Sequence, residues 1–281
     1  MQQDEMSFWD HLEELRWTLF RSVAALFVFA IGFFAFMRGE NGIFGGIIMA
    51  PTRGDFITYQ LFCKAASFFH VVSDFCDTAF EIKIINIKLA SQFFTHMTTS
   101  FWLALVLAFP YLMFEVWKFI SPALYENEKK SVRWVFVFGT GMFFLGCALG
   151  YFMVFPVTLR FLATYQISEA ITEQVSLESY MDNFLMLIFV MGLVFEMPLV
   201  SWLMSKLGLL NRSFFHKYRR HAIVALLVLA AFITPSGDPF TLMIVFIPLY
   251  ILYEISAYFV KPAPVEEDDD DNDDLLPEVA S

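Results

Sequence analysis

Six long apolar blocks recur along the chain, at about Trp17–Met37, Ser91–Trp117, Val132–Pro156, Phe184–Met204, Ala222–Ile233 and Phe240–Val260. A helix needs about 20 apolar residues to cross roughly 30 Å of hydrocarbon. Five of the blocks meet that length. The fifth holds only twelve residues, or about 18 Å at about 1.5 Å per residue. It ends in Thr234-Pro-Ser-Gly-Asp-Pro239, a cluster of turn formers. The pattern predicts an all-α integral membrane protein of six transmembrane helices, the fifth short and joined to the sixth by a tight turn.

The polar segments between the blocks set the expected orientation. With the N-terminus in the cytoplasm, twelve Lys and Arg residues fall on inside segments and six on outside ones. Five of those six lie in one long loop, residues 38–90, where the positive-inside rule weakens. Both termini are therefore expected in the cytoplasm. The first block follows a polar segment with acids and is too long for a signal-peptide core, so it reads as a retained span. The loop 38–90 contains Cys63 and Cys76. An outside location permits a disulfide between them. Cys147 falls within the third span beside Gly146 and Gly150, a small-xxx-small spacing that favours close helix packing.

Charge changes one part of this picture. The net charge is −11, but residues 266–278 hold nine acids and no base, so the rest of the chain carries only −2. An acidic run of this kind buries no apolar surface, and 261–281 reads as a disordered tail. The three cysteines and five histidines are scattered, without the spacing of a metal site. No Gly-rich phosphate loop or HExxH motif is present. Metal, nucleotide and nucleophilic-triad chemistry thus lack sequence support. No metal or cofactor is expected, and no catalytic residue is assigned.

Three polar features remain. In Ser7-Phe-Trp-Asp-His-Leu-Glu-Glu-Leu-Arg16, Ser7 and Asp10 fit a helix start. At about 100° per residue, Phe8, Leu12, Leu15 and Leu19 fall within about 60° of one another. Asp10, His11, Glu14, Thr18 and Arg21 lie opposite. Residues 1–16 thus read as a cytoplasmic amphipathic helix lying on the membrane surface and running into the first span. An interfacial anchor explains the apolar stripe, but not acids where bases are the usual choice. The second feature is the loop Val116–Lys130, where Glu126 and Glu128 precede Lys129 and Lys130. The third is Glu196 in Phe195-Glu-Met-Pro198, about halfway along the fourth block. An ionisable group there is costly unless paired or facing a cavity, and so is a functional candidate. Glu115 and Glu254, near span ends, are less telling.

Taken in order, HLEELR at 11–16, FISPALYENEKK at 119–130, YFMVFP at 151–156, FEMP at 195–198 and ITPSGDPF at 233–240 resemble the TatC family. These are the polytopic receptor subunits of the twin-arginine protein translocase, and the resemblance covers about residues 7–260. It implies a cupped, glove-like bundle with short fifth and sixth spans in the bacterial inner membrane. It also implies recognition of twin-arginine signal peptides on folded cargo. Transport would be driven by the proton-motive force, with single-span TatA/TatB-type partners and self-association within a receptor complex. The family's signal-binding acids match Glu14 and Glu128. Arg16 matches the motif arginine and Phe119 the loop aromatic. Glu196 matches the buried acid of span four, Pro51 the proline of the first periplasmic loop, and Asp238 the acid of the last periplasmic turn. Leu242 departs from the family, which often has Gln there. The enlarged first loop with two cysteines and the acidic tail are further departures.

Two carboxylates suit two guanidiniums, because Arg–carboxylate pairing is planar and bidentate while Lys offers a point charge. The competing reading is a small-solute, proton-coupled secondary transporter with Glu196 as proton carrier. Such transporters commonly carry repeated halves, and none is apparent here. Nucleic acid is not an expected partner.

Overall fold

A computed structural model describes residues 8–37, 42–68, 82–121, 126–165, 168, 174–206, 208–234 and 238–260. The side chains of residues 8, 65, 66, 68 and 126–133 are also outside the description. The predicted acidic tail, Cys76 and turn residues 235–237 lie outside the described residues.

The described residues are mostly helical, and the helices follow the apolar blocks. Helix α1 spans Phe8–Phe36, α2 Ile57–Phe68, α3 Ser91–Ile120, α4 Glu126–Leu149 and α5 Phe155–Thr164. Helices α6 (Leu177–Val194), α7 (Met197–Lys206), α8 (Arg212–Ile233) and α9 (Pro239–Phe259) complete the set. Among the described residues, five stretches are long and apolar enough to cross a membrane, at Trp9–Phe36, Ser91–Ile120, Trp134–Thr164, Leu177–Lys206 and Pro239–Phe259. The last, at 21 residues, is the shortest of the five. The short fifth block forms the C-terminal half of α8. Arg212, Lys217, Arg219 and Arg220 crowd its first half, so the helix is longer than its apolar part.

The interruptions have local causes. The third span continues from α4 into α5 through a π-helical turn at Gly150–Val154, with Pro156 in the first turn of α5. A proline there supplies no N–H, and the Thr58 hydroxyl donates to the Phe152 carbonyl one turn earlier, while the turn absorbs the change in winding. The span therefore runs past the predicted end at Pro156 to Thr164. The fourth span breaks between α6 and α7 at Phe195 and Glu196, where Pro198 removes a donor. It begins at Leu177, earlier than the apolar block, because the Ser176 side chain caps it by accepting from the Ser179 N–H. Residues 8–16 run into the first span as one continuous helix, with no Gly or Pro before Gly32.

The order of packing is simple. Helix α1 lies against α3, α3 against α6 and α4, and α4 against α6, while α9 sits between α7 and α8. No residue in the apolar window of α1 is fully buried, and Phe27, Val28 and Ile31 are exposed to what surrounds the bundle. That is the surface of a lipid-facing helix.

A cap closes the end of the bundle that carries loop 38–90. The strand β1 (Ile84–Ile85) pairs in parallel with β2 (Val175–Ser176), with Ile84 opposite Val175. A π-helical turn at Phe44–Ile48 and a 3-10 turn at Ala50–Thr52 run across it. Their carbonyls would be orphaned in an apolar setting. Tyr151 donates to Ile47 O at 2.8 Å and Tyr180 to Ile48 O at 2.6 Å. The Tyr59 hydroxyl is shared between Pro51 O at 2.9 Å and Pro156 O at 3.1 Å. Burial pushes the Tyr59 hydroxyl well above the usual tyrosine range, which keeps it a neutral donor.

Candidate functional site

The polar stripe of α1 turns inward. His11, Glu14, Thr18 and Arg21 recur on one side of the helix, and that side faces α3. The His11 ring stacks on Phe119 at 4.3 Å between centroids. Thr18 is buried. Glu14 lies between these two along the stripe and is half-buried. The opposite side carries Leu12, Leu15 and Leu19, all exposed. The amphipathic face is thus the reverse of that of a soluble helix, with polar groups meeting protein and apolar groups facing outward.

One turn before Phe119, α3 offers Glu115, only 3% exposed. Its carboxylate accepts from Arg21 Nε at 3.2 and 3.1 Å and from the same guanidinium's NH2 at 3.0 Å. Tyr111 donates to it at 2.8 Å. The Arg21 NH2 also reaches Thr18 Oγ1 at 3.4 Å. A buried carboxylate is stable only when paired and hydrogen-bonded, and this one has both. Sequence reading placed Arg21 on the correct face and noted Glu115, but did not join them. The available signal was a base and an acid within two successive apolar helices, each of which needs a partner.

The remaining predicted residues occupy three separate places. Arg16 points to the outer side of α1, exposed, its guanidinium 6.0 Å from the Trp17 ring; it does not join Glu14. Glu128 lies in the first helical turn of α4, and its side chain is outside the described residues. At the capped end, Pro51 is buried with its carbonyl bound by Tyr59. Asp238 caps α9, accepting from the Thr241 N–H at 2.8 Å and from its hydroxyl. Leu242 packs against the main core. Cys63 is disulfide-bonded, whereas Cys147 is a free, buried thiol. Among the described residues, no group of three His, Cys, Asp or Glu side chains could hold a metal ion.

Glu196 stands apart. It occupies the break between α6 and α7, is 7% exposed, and neither carboxylate oxygen has a hydrogen-bond partner among the described residues. Gly139 of α4 lies against it, so close that a Cβ there would sit 2.9 Å from Oε2. Further along the same seam, a Cβ on Gly146 would meet Met191 O at 2.6 Å, and one on Gly150 would meet Ile188 Cα at 3.0 Å. The small-xxx-small pair is thus a close backbone crossing.

Comparison with known proteins agrees with this layout. The profile of the Sec-independent protein translocase protein family, TatC, matches residues 10–248. A TatC from Blattabacterium sp. subsp. Periplaneta americana is 38% identical over 258 residues, covering 92% of this chain and 96% of its own. One from Helicobacter pylori J99 is 30% identical over 267 residues, covering 94% of each. Two crystal structures of the twin-arginine translocase receptor TatC superpose with TM-scores of 0.63 and 0.66 at 26% identity. They cover 89% of this chain and 97% and 99% of their own. The all-α membrane fold of the TatC receptor structures is therefore the fold, and the solute-transporter alternative is not favoured. This chain is a multi-pass membrane protein of the twin-arginine translocase and belongs to the TatC family.

Proposed function

We propose that the α1–α3 end of the bundle receives the paired arginines of a twin-arginine signal peptide. Glu14 and Glu128 act as the two carboxylates, Phe119 as a ring beside them, and Arg16 as a flanking cation that helps set the peptide's approach. One observation carries this reading. The polar side of α1, with Glu14 half-buried in it, is turned onto α3 next to Phe119 instead of toward water. A carboxylate held there can accept a planar, bidentate guanidinium bond. The outer leucines of α1 leave the apolar part of a signal peptide free to enter lipid alongside.

Both termini then lie in the cytoplasm of a bacterial cell and the capped end faces outward. The twelve-to-six division of Lys and Arg supports that orientation. Glu196 serves as an intramembrane functional acid, open to a group from outside the chain. Single-span TatA/TatB-type proteins complete a receptor complex in which several copies of this chain associate, and the proton-motive force drives export of folded cargo. Pro51 and Asp238 shape the outer cap. Cys63 pairs with Cys76 there, so thiol labelling of whole cells should leave both unmodified until reductant is added. Labelling without reductant rules the bridge out.

The test of the receptor reading is binding of a twin-arginine signal peptide to the purified protein. A charge-assisted hydrogen bond contributes about 1.5–3 kcal/mol, so Glu14→Ala and Glu128→Ala should each weaken binding about tenfold or more. Undiminished binding in the double variant sinks the assignment.

A further inference from the structure

We infer that Arg21 and Glu115 are positioning residues of the signal-peptide site, setting the register of α1 on α3 and so the place of Glu14. The inference rests on the receptor reading above and adds to it two residues that do not themselves touch the peptide.

No residue of the apolar window of α1 is fully buried, and its lengthwise packing is against α3. Leucine faces against lipid fix no register, because hydrocarbon is as apolar as the side chain. Register must then come from specific contacts along the seam. At the far end, Phe34 stacks on His96 at 4.2 Å and meets Phe93 edge-on at 6.4 Å. At the near end His11 stacks on Phe119. Ring stacks tolerate sliding. The Arg21–Glu115 pair does not, since Nε and NH2 both engage one carboxylate whose Oε1 is also bound by Tyr111. A planar fork on a planar acid fixes direction as well as distance.

Glu14 lies seven residues before Arg21, about 10 Å along the axis at about 1.5 Å per residue, on the same side of the helix. Glu115 lies four residues before Phe119, one turn along α3. A shift of α1 by one residue would therefore move Glu14 along α3 relative to Phe119. Reading two adjacent guanidiniums requires carboxylates at fixed places, and the Arg21–Glu115 fork fixes the place of α1 on α3.

The experiment measures dissociation constants of a twin-arginine peptide and its twin-lysine counterpart for six proteins. These are the parent, Glu115→Gln, Arg21→Gln, the exchange Arg21→Glu with Glu115→Arg, Tyr111→Phe, and Glu14→Ala. Loss of folded protein scales both affinities alike and leaves their ratio unchanged. A misplaced Glu14 loses the planar geometry that prefers Arg to Lys, so the ratio falls. The expected result is a ratio about tenfold lower in Glu115→Gln and Arg21→Gln, a loss of about 1.4 kcal/mol of discrimination. The exchange should restore it to within about threefold, or about 0.7 kcal/mol. Tyr111→Phe should lower it less. If Glu14→Ala abolishes the preference while Glu115→Gln and Arg21→Gln keep the parental ratio, the positioning role is overturned and the receptor reading stands. If Glu14→Ala also keeps the parental ratio, both are overturned.

Discussion

Two seams of this bundle bury an acid, and they handle it in opposite ways. Between α1 and α3, Glu115 accepts from Arg21 and Tyr111 and so is fully provided for. Where α4 meets the α6–α7 break, Glu196 is nearly as buried and its oxygens find no partner among the described residues. The backbones differ as well. The α1–α3 seam is joined by a guanidinium fork and ring stacks. The α4–α6 seam is made of Gly146, Gly150 and Gly192, with Phe109 and Phe143 stacked at 3.6 Å beside it. One seam takes its specificity from polar contacts, the other from shape. In a membrane both devices are needed, because apolar burial does not itself drive helices together. A partnered acid is then part of the scaffold. On the function proposed above, an acid with no partner among the described residues is placed for something outside the chain.

The most severe way to break the comparison is to fill the glycine seam. Gly146→Val should be the most damaging single change, since even its Cβ would lie 2.6 Å from the Met191 carbonyl. Backbone oxygen cannot swing aside as a side chain can. The expected cost is about 3 kcal/mol, at the upper end for overpacked sites, read as a large fall in the detergent melting temperature. Gly141 has open space around it, so Gly141→Ala should leave the melting temperature nearly unchanged. An equal loss in both would mean that helix propensity, not close approach, governs the seam.

Removing half of the polar fork comes next. Glu115→Gln leaves the Arg21 guanidinium facing an amide. Taking one partner from a buried pair costs about 3–5 kcal/mol. The Arg21 side chain is 35% exposed, however, and water screens part of that loss. The expected destabilisation is about 2 kcal/mol in chemical unfolding. Glu115→Leu with Arg21→Leu should recover most of it, because a matched apolar pair leaves nothing unsatisfied. A double variant no better than the single would show that the fork is not what the seam lacks.

These two regions were not equally legible in the sequence. Close packing could be read from Gly146 and Gly150 alone, because their spacing admits few other uses within an apolar block. The inward polar face of α1 was half legible. The stripe of His11, Glu14, Thr18 and Arg21 follows from helix periodicity, but nothing local says what it meets. Glu115 is 94 residues away from Arg21, and only the antiparallel packing of α1 on α3 joins them. The tyrosines that bind the cap carbonyls were illegible for the same reason, since a phenol can reach any backbone oxygen the fold brings near. Helix ends were blurred where a cap or π-helical turn extended a span past its apolar block, as at Ser176 and Pro156.

The smallest expected effect on stability sharpens the comparison most. Glu196→Leu keeps the volume of the side chain and removes a carboxyl that has no partner among the described residues. An unsatisfied buried polar group costs about 1–3 kcal/mol, and replacing such a group by a well-packed apolar one is often neutral or stabilising. The protein should therefore unfold at the same denaturant concentration or gain up to about 1 kcal/mol, while export of twin-arginine cargo in cells falls. Glu115→Leu alone should do the reverse, losing stability because Arg21 is stranded. If Glu196→Leu instead destabilises as strongly as Glu115→Leu, then Glu196 is held by groups within this chain and its role is structural. If it is stable and export is retained, the acid has neither role, and the contrast between the two seams reduces to packing.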